Sequence, residues 1–180
     1  ANFSYVKTFS GEASFHKASF TKEANFVEVP FTAANFLNAK FSGKANFRNA
    51  TFSELADFRN ANFSEEADFS DAKFSGETIQ FMEAIFIKEA NFVKAAFTAE
   101  TNLLLARFSG KANFNRATFA EAVDFSHAEF LEKADFYDAT FAKGVDFSEV
   151  LFPEADFRYT QFLGEIPFSD PFYKAWIKSY

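Results

Sequence analysis

Residues 45–77 read ANFRNATFSEL ADFRNANFSEE ADFSDAKFSGE, three consecutive blocks of eleven, each with two Phe set five residues apart. The beat extends through almost the whole chain. From Ala1 to Glu165 fifteen units of the form A-x-F-x-x-A-x-F-x-x-x follow one another, and a degenerate sixteenth contains Ile166, Pro167 and Phe168. Of the thirty central positions, 29 are Phe and one is Leu103. A chain of 180 residues with 31 Phe, one Trp, one Met and no Cys departs far from average composition, as internal repetition requires.

Ala precedes Phe by two positions at Ala45, Ala50, Ala56, Ala61, Ala67 and Ala72. A small residue at i−2 and a large one at i, with Asn, Asp, Lys or Thr between them, is the alternation of an extended backbone with one face buried. Each half-unit is therefore a very short strand followed by a corner. A helix fails, because Phe steps of five and six residues smear around its cylinder. An eleven-residue coiled coil needs apolar spacings of four and seven that are missing. A β-sandwich does not repeat one inward side chain every eleven residues.

The i−2 position fixes the size of the coil. It departs from Ala at Ile79, Thr101, Val123 and Val145, each 22 residues beyond the last, and resumes at Ile166 after a shortened unit. Two units per turn stack these residues in one column, which predicts four faces and about 22 residues per coil. Fifteen units then give about 7.5 coils, a rod of ~36 Å at a strand spacing of ~4.8 Å.

Tandem A-[N/D]-F-x-x-A-x-F-x-x resembles the pentapeptide-repeat proteins over residues 1–168. The resemblance implies an all-β fold, a right-handed quadrilateral parallel β-helix with the small residue and the Phe pointing inward. The present chain departs from a strict five-residue rhythm by adding a residue to every second face, placed here as a bulge at alternate corners. Phe47, Phe52, Phe58, Phe63, Phe69, Phe74, Phe114, Phe119, Phe125 and Phe130 are the expected core. Burial of one such ring is worth ~1.5–3 kcal/mol, so the aromatic content is explained without a ligand.

Irregular units are expected to bend the wall locally. Two of them lose a residue near Pro30 and Pro153, and two gain one, within Val6–Thr8 and around Glu77–Thr78. Gly11, Gly43, Gly76 and Gly110, which recur after Phe-Ser on alternating opposite corners, are expected to serve turns. Residues 169–180 form a second segment: Asp170 as N-cap, Pro171 at the first helical position, then Phe172, Tyr173, Trp176 and Ile177 on one face. That pattern predicts a short C-terminal α-helix that caps the raw end of the β-helix or makes a dimer contact.

Little in the sequence carries chemistry. His16 and His127 stand alone in different units, no Cys is present, and flat faces give paired carboxylates no recess to shift a pKa. No enzyme activity, metal or cofactor is expected. The absence of Cys is compatible with the cytoplasm, and no apolar run reaches the ~18–20 residues of a membrane span. The chain opens on the repeat without Met or a leader pattern, as expected for a mature or excised piece of a longer protein.

Charge is uneven. The overall formal charge is −7, yet residues 1–119 hold 13 acidic and 13 basic side chains, whereas residues 120–165 hold 11 acidic and three basic. In the 22-residue register Asp124 stacks on Asp146 and Asp135 on Asp156, giving acidic ladders as the candidate interaction face. That sign disfavours direct nucleic-acid binding. Two functions follow: a rigid structural module that binds a protein partner or neighbouring domain, or, by resemblance to the quinolone-resistance branch of the family, a dimeric DNA mimic that occupies a type II topoisomerase such as gyrase.

Overall fold

The computed structural model describes residues 1–7 and 9–165. The expected helix at 169–180, with Phe172, Tyr173, Trp176 and Ile177, lies outside the described residues. Within them the chain winds as a four-sided coil of parallel strands, most only two residues long. A two-residue strand is stable here because both of its neighbours belong to the same continuous wall.

Each residue pairs with its equivalent about 22 positions on, for example Ala90 with Ala112 and Ala112 with Ala134. Numbering the faces in chain order, the first is a seven-stranded ladder from Ala24–Asn25 to Ala155–Asp156, and the fourth a six-stranded ladder from Ser19–Phe20 to Glu129–Phe130. The second and third join in one twelve-stranded sheet, since Phe9–Ser14, Pro30–Asn35 and Thr51–Asp57 run unbroken around the corner between them. The column Ile79, Thr101, Val123, Val145 stacks along the third face. Buried Thr101 satisfies its hydroxyl by donating to the Ala99 carbonyl at 3.1 Å.

Phe fills the interior in four columns. Rings one coil apart lie parallel, as in Phe63 and Phe86 at 4.8 Å between centroids and 1° between planes. Rings on the first and third faces meet edge to face across the shaft, Phe47 and Phe58 at 5.4 Å and 87°. Both are favoured aromatic geometries, and the interior needs each: stacking along the rod, edge contacts across it. The ten Phe named above as the core are buried to 2 % exposure or less. Leu103 interrupts the third column between Phe81 and Phe125 and is equally buried.

The two corner types explain the alternating steps of five and six. After the first and third faces the chain turns tightly: the Phe36 carbonyl accepts the Ala39 amide at 2.9 Å, and the residue two beyond each Phe has φ near +57°. Fifteen non-glycine residues adopt that conformation, including Asn38, Lys94, Leu105 and His127. The glycines do otherwise, which corrects the expectation that their free φ serves the turns. Gly11 alone has positive φ. Gly43 and Gly110 sit at the longer corners because a Cβ there would lie 2.6 Å from the Lys22 carbonyl carbon and 2.7 Å from that of Lys88, in the coil below.

Three of the four irregular units, those near Pro30, Glu77–Thr78 and Pro153, are absorbed at the long corners. The strand pair Pro30–Asn35 and Thr51–Asp57 shifts register between Phe31 and Ala33, where one residue is missing. Pro30, which has no amide to donate, faces the first coil, whose own register against it breaks between Phe9 and Glu12. Beyond the extra residue at Glu77–Thr78, pairing resumes as Ile79 with Ala56.

Candidate interaction faces

The position before Phe on the first and third faces is Asn or Asp, except at Ser14 and Gln80 of the third, and the structure gives it a backbone task. Its Oδ1 accepts the amide two residues on, closing an Asx turn ahead of the tight corner: Asn46 from Arg48 at 3.1 Å, Asp68 from Ser70 at 2.9 Å, Asp124 from Ser126 at 2.7 Å. Asp135, Asp146 and Asp156 do the same with Tyr137, Ser148 and Arg158. Asn and Asp interchange along these ladders because the shared requirement is an acceptor oxygen, not a charge. That interchange was the signal in the sequence, and the ladder reading missed it by counting charge alone.

Asp124 lies beside Asp146, and Asp135 beside Asp156. The two pairs occupy the third and first faces, on opposite sides of the coil, so the four carboxylates share no surface. Their electrostatics differ too. On the first face the Lys133 ammonium lies 3.8 Å from Asp135 and 3.5 Å from Asp156, and the Arg158 guanidinium grips Asp156 through Nε at 2.9 Å and a terminal nitrogen at 2.7 Å. The side-chain hydrogen bond from Arg158, helped by its backbone amide and by Lys133, holds the Asp156 carboxyl at about 2 against an ordinary 3.8, while burial opposes.

The same fork recurs where the same four residues recur. In Ala56–Arg59, as in Ala155–Arg158, Arg two places after Asp folds back on it; Arg59 reaches Asp57 at 2.9 and 2.7 Å, and the hydrogen bond raises the guanidinium pKa further. Both carboxylates are buried, Asp57 at 3 % and Asp156 at 8 % exposure. On the third face Asp124 and Asp146 line a shallow groove of about 510 Å³ with Glu100 and Glu165. A second groove of about 540 Å³ runs along the fourth face and includes His127, Ile85, Leu105 and Leu151. Among the described residues no three His, Cys, Asp or Glu gather as metal ligands, and no helix is long and apolar enough to cross a membrane.

A four-sided parallel solenoid whose shaft is apolar but for Thr101, and whose other polar groups line its outer walls, is a structural, interaction-type repeat protein. The family profile described as pentapeptide repeats (nine copies) matches residues 8–51, 36–79, 58–104 and 105–151. The chain belongs to the pentapeptide-repeat family. Among solved structures it is similar to HetL, a pentapeptide repeat protein involved in heterocyst differentiation regulation from the cyanobacterium Nostoc sp. strain PCC 7120, at 13 % identity over 84 % of this chain and 90 % of that one, with a TM-score of 0.19. No curated protein matches.

Proposed function

We propose that the chain is a non-catalytic scaffold, a rigid rod that offers its outer faces to a protein partner, and that it does not imitate DNA. The observation that carries this is the division of the ladder carboxylates between opposite faces, with those of the first face matched by Lys133 and Arg158. A phosphate mimic must present uncompensated charge along one continuous surface to a basic saddle, and such a contact weakens steeply with salt. The coil spacing of ~4.8 Å also differs from the ~7 Å between successive phosphates of a strand, so register would be lost within a few steps. Catalysis is unsupported on the same grounds: both grooves are shallow and open, and the one strongly shifted carboxyl is locked in an ion pair.

A DNA-supercoiling assay tests this. The expected result is no inhibition of gyrase at micromolar protein, in low salt as in high. Potent inhibition that vanishes when Asp124, Asp135, Asp146 and Asp156 are all changed to Asn, in a variant that still folds, would reverse the conclusion.

A further inference from the structure

The second face differs from the other three in charge. The residues on either side of its inward Phe, from Phe31 to Phe162, are Ser, Thr, Ala, Pro, Gln or Leu, and Lys73 alone is charged. Four of the hydroxyls are already satisfied: Thr32, Ser53, Ser75 and Thr98 donate to the Phe carbonyl one coil back, at 3.2–3.4 Å. Polar groups bonded within the chain cost little to bury, so this face can close against another flat surface. Its corners, by contrast, are charged in a matched order. Along the corner from the first face stand Lys94, Arg116 and Asp138; along the corner to the third, on the same three coils, stand Glu100, Glu121 and Lys143. The signs are opposite on every one. Ion pairs within the chain hold two of these coils together, Arg116 with Asp138 at 3.2 Å and Lys143 with Glu121 at 3.7 Å, and all four side chains are 43–61 % exposed.

We propose that the second face is the interface of a homodimer in which two rods lie side by side and parallel, about a two-fold axis along their length. That operation sets each corner of one copy against the opposite corner of the other, coil for coil. Arg116 then meets Glu121 of the second copy and Asp138 meets its Lys143, and symmetry makes each contact twice. Between the corners, size is matched as charge is. The position before Phe in one copy faces the position after Phe in the other, so Ala96 lies opposite Thr98, Thr118 opposite Ala120, and Thr140 opposite Ala142. One coil has two acidic corners, Asp71 and Glu77, and it is the coil that holds Lys73.

The other faces do not fit themselves in this way. Glu66 with Asp71 and Lys111 with Arg116 are like-charged across the first face, Glu77 with Glu83 across the third, and Glu149 with Glu154 across the fourth. The second face is also large enough. Seven coils of about five residues, at ~4.8 Å by ~3.3 Å per residue, present on the order of 550 Å² per copy, close to the ~600 Å² per partner at which stable interfaces begin. A dimer of roughly micromolar strength is therefore expected. It leaves the first, third and fourth faces outward, and holds whichever protein they bind.

Reversing one ion pair end for end tests the register. Glu121→Lys with Lys143→Glu, or Arg116→Asp with Asp138→Arg, keeps a pair within the chain but sets like charges against each other across the two-fold. An unchanged melting temperature verifies that the fold is kept. In sedimentation velocity at ~10–100 µM the parent should be a dimer. Each reversal alone should raise the dissociation constant ~10–100-fold and yield monomers, because like charges then face each other at both corners. The two reversed proteins mixed in equal amounts should recover the dimer, and so should a chain carrying both reversals, which damage to the fold cannot produce. A parent that stays monomeric throughout this range overturns the proposal. So does a dimer indifferent to either reversal, which would place association on another surface, and so do reversed proteins that remain monomeric when mixed.

Discussion

Asp156 shows how one residue serves two ends. Its Oδ1 closes the Asx turn, and the whole carboxylate holds the Arg158 fork. Because its folded pKa of about 2 lies below the ordinary 3.8, the ion pair adds stability above pH ~4 and loses it as pH falls toward 2. Asp156→Asn keeps an acceptor for the turn and removes only the charge. Denaturant titrations should find it about 2 kcal/mol less stable than the parent at pH 7, the difference closing by pH ~2. A pH-independent difference would assign the loss to packing instead. The inward Phe and Ala were readable from the sequence because a burial pattern of period two repeats thirty times. The Asx turns were signalled only by the interchange of Asn and Asp, which suits any solvent-facing site equally well, and the structure alone shows the oxygen on the amide. The Arg forks were hidden for a similar reason: Arg at i+2 of Asp points away in an ideal strand and meets it only because the tight corner turns the backbone there.

At the scale of the strand and its corners, the wall is held by two devices that the sequence signals unequally. The six-residue corners were visible in the Phe spacing. The left-handed residue at each tight corner was not, since Tyr, Glu, Leu and Arg at those sites are no one's usual choice for positive φ. They tolerate it because the Asx turn before and the Phe-to-Ala hydrogen bond after fix the backbone on both sides. Glycine answers instead to crowding between coils. Gly110→Ala should therefore cost ~1–3 kcal/mol, as overpacking against immovable backbone does, whereas Gly144→Ala, whose Cβ would lie 3.5 Å from the Glu165 oxygen, should be close to neutral. Thermal denaturation of the two variants checks this, and equal losses would mean that φ or chain entropy governs both sites.

Over the whole molecule, every coil touches only the coils above and below, so stability is a sum of neighbour terms and the ends are weakest. The rings of Phe3, Phe9, Phe15 and Phe20 at one end, and of Phe152 and Phe162 at the other, are only partly covered, while those between Phe26 and Phe147 are buried. Amide hydrogen exchange should rise in protection from both ends toward the coils around Phe69–Phe92. Uniform protection would show a single cooperative unit.

The equivalence of opposite faces has a consequence for how such a gene can change. First and third faces share the Asx turn and tight corner, and second and fourth share the longer corner, so the shaft repeats every eleven residues while the outer surface repeats only with the full coil of 22. Slippage in replication that removes one block of eleven codons leaves a core that still closes, but everything downstream emerges turned by half a revolution, and the surface of the second face passes to the fourth. Only gains and losses of 22 codons lengthen or shorten the rod while keeping its recognition surfaces aligned. The interior is thus indifferent to half of the edits that change what the exterior presents.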